Sequence, residues 1–279
     1  MTIPMKHSFY FSIIALLVLL TACGKSESQA NAEDLLSQAE TALQVKNTVL
    51  AKTLIDSINS AYRAETAVRK QANLLITRVI ECETQMEITS TDSLMAWFAD
   101  RHNTLKEKMK LINDPQLVEP YYVAKAAYKQ DFVNTTGIQA RVDEIGQFYV
   151  VSSLKGNSIR HTSVTITING KSATTADVPR GSDANFAIEG SELVTYLMAQ
   201  CDTIGKFAAE NRGEMGKLTF NGAKKHSIQM SPAQIAAIAD AYEFSQSIVQ
   251  SRELAIKLEM LERKLQLSRD QIARQTPEE

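Results

Sequence analysis

Cysteine and histidine are scarce in this chain of 279 residues, which contains three cysteines and four histidines. The histidines lie far apart in the sequence, and none stands in a metal-type cluster with cysteine or a carboxylate. The sequence also lacks a glycine-rich phosphate loop and a nucleophile elbow in a convincing setting. We therefore expect neither a metal nor a cofactor, and no residue is assigned a catalytic role.

The chain also lacks a surplus of either charge. It has 30 basic and 32 acidic residues, which gives a formal net charge of -2. No stretch interleaves basic and aromatic residues as nucleic-acid binders do, so nucleic acid is not an expected partner. No run of like charge marks an interaction tail.

A short apolar run stands near the N-terminus. Lys6 and His7 precede residues 9–20 (FYFSIIALLVLL), and residues 21–23 (TAC) follow directly. A membrane-spanning helix needs about 20 apolar residues, so this run is too short to span. A basic start, a short apolar core and small residues at a cleavage site are typical of an export signal.

The segment Leu20-Thr21-Ala22-Cys23 resembles the lipobox of bacterial lipoproteins. The resemblance implies that residues 1–22 form a signal peptide and that Cys23 is lipidated, with acyl chains such as palmitate. Each buried methylene contributes about 0.8 kcal/mol, so two or three chains hold a protein stably to a membrane. Gly24, in place of aspartate, resembles the sorting signal for the Gram-negative outer membrane. Because no acidic cluster follows Cys23, we expect the periplasmic face rather than the cell surface.

Helical periodicity predicts a helical arm over residues 33–114, after a polar tether over residues 23–32. We expect two short helices joined by a turn at Lys46-Asn47. A long helix then runs from Ala64 to about Ile112, and the polar residues 89–93 could break or re-cap it. Its first part has a seam of apolar residues with alternating steps of four and three, namely Val68, Ala72, Leu75, Val79, Cys82 and Met86.

The two short helices resemble a single tetratricopeptide-type helical hairpin over residues 35–62. The resemblance rests on small or apolar residues and a turn at the positions of that repeat: Ala39, Leu43, Asn47, Ala51, Ile55 and Ile58. A stable solenoid needs about three repeats, and the sequence shows no second copy. A generic antiparallel helix pair explains the pattern equally well.

Strand patterns dominate residues 115–230. Residues 147–154 and 162–169 are rich in β-branched and aromatic residues, and Asn169-Gly170 and Asn221-Gly222 predict hairpin turns. The second turn would pair residues 217–220 with 225–230. Between the two turns we expect a helix from Ser191, as N-cap, to about Gly213.

A long C-terminal helix is predicted over residues 231–279, with Ser231 as N-cap and Pro232 at its first position. Its seam comprises Leu254, Leu258, Leu261, Leu265, Ser268 and Ile272. The expected fold class is therefore α+β: a helical hairpin and long helix, a mainly antiparallel β domain with one helix, and a long helix that returns as a coiled-coil-like stalk. The alternative is that the last helix associates with a second copy of the chain.

Two candidate sites and one cysteine pair arise in this pattern. Arg160-His161-Thr162 beside Asp143-Glu144 could form a base-plus-carboxylate site, although a loop histidine near surface acids is the simpler interpretation. A second candidate is an aromatic ligand platform, although tyrosines at strand positions usually pack the sheet: Tyr121, Tyr122 and Tyr149. For Cys82 and Cys201 the sequence favours two free buried thiols over a disulfide.

These features predict a non-catalytic envelope lipoprotein that serves as an interaction or scaffold module. Its expected partners are the membrane, through lipid on Cys23, and another envelope protein, with a homo-oligomer through the C-terminal helix as a further option. A small-ligand or glycan binder is one alternative, and a hydrolase with an unrecognised site is another. A scaffold should have exposed apolar surface along its helices, whereas an enzyme should unite titratable groups in a pocket.

Overall fold

A computed structural model describes residues 26–114 and 119–275, which belong to two compact units. The first unit contains the described residues up to Thr89 and those from Met260 onward, and the second is Ser90–Glu259. These limits differ from the divisions expected at 114 and 230, because two long helices contribute residues to both units. The predicted signal peptide and Cys23 lie outside the described residues.

The first unit begins with a helix pair, α1 (Glu27–Gln44) and α2 (Thr48–Ala61). Ser26 caps α1 by accepting a hydrogen bond from Gln29 N at 3.0 Å, and Asn47 caps α2 by accepting one from Leu50 N at 3.1 Å. The helix pair expected from the sequence is therefore present. Residues 27–32, which were expected in a flexible tether, instead form the first turns of α1, because Ala32 is fully buried there.

The core of the first unit forms between this pair and the start of α3 (Thr66–Lys106). The first four seam residues of α3 are buried as predicted: Val68, Ala72, Leu75 and Val79. Further along the helix, Cys82 is only partly buried and Met86 is 45% exposed. The seam ends there because a different face of α3 becomes buried, with Thr77, Thr84 and Ile88.

Within each unit, the last helix, α5 (Pro232–Gln275), contacts α3. In the first unit, Arg269 Nε lies 3.1 Å from Glu81 Oε1. In the second unit, Arg101 Nη2 of α3 lies 3.0 Å from Glu243 Oε2 of α5. The predicted seam of α5 is buried at Leu261, Leu265 and Ser268. Ser231 Oγ accepts from Gln234 N at 3.3 Å, which confirms the predicted N-cap.

Helix α3 does not break at the polar residues 89–93, and it ends earlier than expected. Thr89 Oγ1 donates to Gln85 O at 3.0 Å, which is the backbone-directed bond that allows threonine inside a helix. Residues 109–112 were expected to be helical, but they form an edge strand that pairs with residues 121–124. Met109 is buried in the core of the second unit, and this packing favours the strand.

The second unit contains two antiparallel sheets. The six-stranded sheet has the order β1-β2-β3-β4-β8-β7, and the four-stranded sheet has the order β10-β9-β5-β6. The strands are β1 (Met109–Ile112), β2 (Tyr121–Ala124), β3 (Gly137–Asp143), β4 (Phe148–Lys155), β5 (Ser163–Ile168), β6 (Lys171–Thr174), β7 (Asn185–Ile188), β8 (Ser191–Leu197), β9 (Gly216–Asn221) and β10 (Lys225–Met230). Both predicted Asn-Gly hairpins, β5-β6 and β9-β10, are present. The α+β class is therefore confirmed.

One hydrophobic core joins both sheets with α5 and the short helix α4 (Asp202–Glu210). Val164, Ile166 and Ile168 of β5 are at most 1% exposed, as their alternation predicts. The helix expected from Ser191 is wrong over residues 191–197, because this segment is strand β8 and pairs on both sides with β4 and β7. Val194, Thr195 and Tyr196 are β-branched or aromatic and favour such a position.

Cys82 and Cys201 are free, as the sequence favours. The Cys201 thiol is fully buried and donates to Tyr196 O at 3.1 Å. Burial raises the pKa of Cys201 to about 12, so the thiolate that nucleophilic chemistry requires does not form at neutral pH.

Candidate functional site

His161 lies at the centre of a polar network inside the second unit. It precedes β5 and is fully buried. Its Nε2 lies 2.8 Å from Ser152 Oγ, and its Nδ1 lies 2.9 Å from Glu192 Oε2. Ser152 is 0% and Glu192 is 3% exposed. The three side chains therefore form a continuous hydrogen-bonded chain in the core.

Strand alternation places Ser152 and Glu192 together. Ser152 pairs with Val194, and Glu192 is two residues before Val194 on the same strand, so both side chains face inward from neighbouring strands β4 and β8. The histidine comes from the connection that leads to the other sheet. The network therefore links the two sheets through side chains.

Two local features hold the histidine in this position. Arg160 has φ 56°, a left-handed conformation that turns the chain just before His161. Asn185 is buried, and its Nδ2 donates to His161 O at 3.1 Å and to Val178 O at 2.8 Å. The backbone around His161 is thus fixed from both the loop and strand β7.

Glu192 is the main acceptor of the network. Its Oε1 accepts from Arg160 N at 2.7 Å, and its Oε2 accepts from His161 N at 3.0 Å. Arg180 Nη1 lies 3.3 Å from Oε1, on the side nearest solvent. Burial opposes ionisation, but the hydrogen bonds from the His161 side chain and from the two backbone amides hold the pKa of Glu192 below its ordinary value.

These shifts define the protonation state at neutral pH. Burial lowers the pKa of His161, against the opposing effect of Glu192, so the ring is neutral. Because the ionised Glu192 accepts from Nδ1–H, the proton is on Nδ1 and Nε2 accepts from the Ser152 hydroxyl. Tyr196 lies at the end of the chain, with its Oη 3.5 Å from Ser152 Oγ. The order serine, histidine, carboxylate is that of acyl-transfer triads.

The burial of the network argues against catalysis. A nucleophilic serine must reach a substrate carbon, but Ser152 and His161 have no exposed surface. The side chain of Phe220 closes one side of the imidazole, with ring centroids 5.2 Å apart. The geometry is therefore suited to stabilising the two-sheet core and does not form an accessible active site.

The sequence-based interpretation of His161 identified the residue but not its environment. His161 is a core residue and not a surface loop histidine, and its carboxylate partner is Glu192, not Asp143 or Glu144. Asp143 Oδ1 instead accepts from Gln147 N at 2.7 Å in the turn between β3 and β4. Ser152 and Glu192 were missed. Their only signal was inward alternation of polar residues on apolar strands.

The predicted tyrosine platform forms only in part. Tyr121 and Tyr149 share the outer face of the six-stranded sheet, with ring centroids 6.5 Å apart, and Arg141 lies 4.2 Å from the Tyr121 ring. Tyr122 points to the other face and contacts Phe244, with ring centroids 5.0 Å apart. Burial raises the pKa of Tyr149 to about 12. The half-buried rings stack on each other and on Arg141, as sheet-packing residues do.

The part of the chain that the structure describes contains no cluster of three or more histidine, cysteine, aspartate or glutamate residues able to hold a metal. Within residues 26–114 and 119–275, no helix combines the length and the apolar character that crossing a bilayer demands.

Comparison with known proteins gives a similarity of limited extent. The chain is similar to Treponemal membrane protein A of Treponema phagedenis, with 34% identity over 125 residues. The match covers 42% of this chain and 36% of that protein, so it spans little more than a third of the relative. No family model matches the chain, and the tetratricopeptide resemblance of residues 35–62 gains no support from this comparison. No solved structure matches significantly.

Proposed function

We propose that this protein is a cell-envelope lipoprotein, anchored to the membrane by lipid on Cys23, that acts as a non-catalytic interaction module. The anchor rests on the lipobox at residues 20–23. Its support includes the similarity to a protein named as a membrane protein. By its sorting residue Gly24, the protein would belong to the outer membrane. Because no acidic cluster follows Cys23, its domains would lie on the periplasmic face.

The interaction role rests on an exposed apolar stripe on the part of α5 that belongs to the first unit, formed by Met260 and Leu267. These side chains are 67% and 69% exposed. A step of seven residues returns to one side of a helix, so the two share a face. Leu261 and Leu265 lie on the opposite face and are buried.

An exposed apolar stripe of this kind is typical of a surface that contacts another protein. The buried state of Ser152 and His161 favours this role over that of a hydrolase. We infer that the occupant is another envelope protein with an apolar helix or groove, which a helix face of this shape fits.

The anchor can be tested by replacing Cys23 with serine. We expect the wild-type protein, expressed in a Gram-negative host, to incorporate a palmitate analogue and to fractionate with membranes. The Cys23→Ser variant should lose the label completely and leave the membrane fraction, because no other acyl chain replaces the lost burial energy. Cys82→Ser is the matched control and should keep the label. Labelling of the Cys23→Ser variant would refute the anchor.

The stripe can be tested with a photo-crosslinking residue placed at Met260 or Leu267 in intact cells. We expect a discrete adduct from these positions and none from Gln266 or Ala255, which are exposed on other sides of α5. Equal adducts from all four positions would refute a defined interaction face. An adduct with the mass of two copies would assign the stripe to self-association and refute the heterologous partner.

A further inference from the structure

A charged cleft of about 470 Å³ lies in the second unit. Its lining includes Trp97 and Arg101 on α3, Lys108 just after α3, Arg212 after α4 and Glu243 on α5. It is separate from the buried His161 network and from the apolar stripe. None of its lining residues belongs to that network or to that stripe.

Ion pairs form a branched chain along the cleft. Arg212 joins two carboxylates, with Nη1 2.8 Å from Asp240 Oδ1 and Nη2 3.1 Å from Glu243 Oε2. Arg101 pairs with Glu243 at 3.0 Å, and Lys108 pairs with Asp240 at 3.1 Å. Burial opposes the charge of Arg212, but the hydrogen bonds that Arg212 donates to Asp240 and Glu243, together with the charges of these carboxylates, raise its pKa. Three cations therefore share two carboxylates, and Asp100 also lines the cleft.

The outer cations keep donors for a ligand. The side chains of Arg101 and Lys108 are 41% and 50% exposed, whereas those of Glu243 and Asp240 are 23% and 14% exposed. A guanidinium has five N–H donors, and the pair with Glu243 uses only part of them. The cleft thus offers cationic groups toward solvent and carboxylate oxygens deeper in its wall.

Trp97 adds an aromatic wall to these charges. It is the only tryptophan of the chain and is 55% exposed. Arg101 lies 5.6 Å from its ring centroid, and Phe98 supports it from the edge at 4.7 Å. An indole is a large amphipathic surface whose exposure carries a cost, and such rings are common in ligand sites.

We propose that this cleft binds an acidic saccharide, that is, a sugar ring that bears a carboxylate. The apolar face of the ring packs on Trp97. The carboxylate of the sugar accepts charge-assisted hydrogen bonds from Arg101 and Lys108. The guanidinium of Arg101 can donate two of them to the same carboxylate. The sugar hydroxyls donate to the carboxylate of Glu243 in the cleft wall, which accepts only. The cleft combines cations, a carboxylate acceptor and an indole ring. These groups together fit a ligand that has a carboxylate, hydroxyl donors and an apolar face better than they fit a simple anion.

Fluorescence of Trp97 provides a direct test, because no other tryptophan contributes to the emission. We expect D-glucuronate, titrated into the detergent-solubilised full chain, to produce a saturable change in emission. D-glucose, which lacks the carboxylate, should bind about tenfold or more weakly, because a hydrogen bond to a charged group is worth about 1.5–3 kcal/mol. Acetate, which lacks the ring, should produce no saturable change.

Two variants and a control make the test specific. Arg101→Gln and Lys108→Gln should each reduce the preference for glucuronate over glucose about tenfold. Arg252→Gln, at an exposed arginine elsewhere on α5, should leave the preference unchanged. Circular dichroism of each variant checks that it is folded. No saturable response to glucuronate, or an unchanged preference in both cleft variants, would overturn the proposal and leave the ion pairs a purely structural role. Neither result would affect the tests of Cys23 or of the stripe.

Discussion

Replacing His161 with alanine is expected to destabilise the protein by about 3–5 kcal/mol, because it removes a hydrogen bond to a buried carboxylate and one to a buried hydroxyl and leaves a cavity. The variant takes the Nδ1–H donor from Glu192 and the Nε2 acceptor from Ser152, and it leaves a cavity beside Phe220. Glu192 is 3% exposed, so water does not replace the lost donor. Chemical denaturation of the variant and the wild type measures the difference.

His226→Ala is the matched control for this variant. His226 lies on the edge strand β10 and is only partly buried. Replacing His226 with alanine should lower the unfolding free energy by less than about 1 kcal/mol, as substitutions near the surface usually do. Equal losses from the two variants would contradict the central role of His161 in the core.

The stability lost in the His161→Ala variant should also depend on pH. Folding lowers the pKa of both His161 and Glu192, so the folded state binds fewer protons than the unfolded chain in mild acid. The stabilisation by His161 is complete above the ordinary histidine pKa of about 6.5 and is lost as the pH falls below it. Therefore the difference in unfolding free energy between wild type and His161→Ala should narrow toward acid. His102, whose pKa burial also lowers, is present in both proteins and cancels.

Long helices were predictable because their signal repeats many times along the sequence. The seam from Leu254 to Ile272 keeps one face through several turns, and the structure buries that face at Leu261, Leu265 and Ser268. The Asn169-Gly170 pair predicted its hairpin from local chemistry, since both residues have positive φ. The second hairpin is also present, but Asn221 belongs to strand β9 and pairs with Lys225. Such features depend on residues close together in the chain.

Strand β8 shows why other elements were not predictable. Leu193, Tyr196 and Leu197 also fit helical spacing, and Ser191 suits a helix cap. In the structure Ser191 Oγ is buried without a hydrogen-bond partner, and pairing with β4 and β7 decides the conformation. The partner of His161 was hidden for the same reason. Glu192 is 31 residues away, and only the register of β4 and β8 brings it to the histidine.

Gly222 is a second position where a small change should have a large effect, because the backbone before His161 packs directly on it. A Cβ at Gly222 would lie 2.3 Å from Ile159 O and 2.8 Å from His161 N. These are backbone atoms and cannot move as a side chain can. The turn is also tied to the same segment by the bond from Ala223 N to Ile159 O at 2.8 Å.

Gly222→Ala should therefore destabilise the protein by about 1–3 kcal/mol or more, the cost of forcing extra volume into a packed site. Gly137→Ala is the matched control, since no atom lies within 4 Å of a Cβ at that position. It should change the unfolding free energy by less than about 0.5 kcal/mol. Because the clash displaces His161 N, the Gly222→Ala variant should also lose part of the stability that His161 supplies. The double variant, Gly222→Ala with His161→Ala, should then lose less unfolding free energy than the sum of the losses in the two single variants. Strict additivity in this double-mutant cycle would show that the turn at Gly222 and the His161 network are independent.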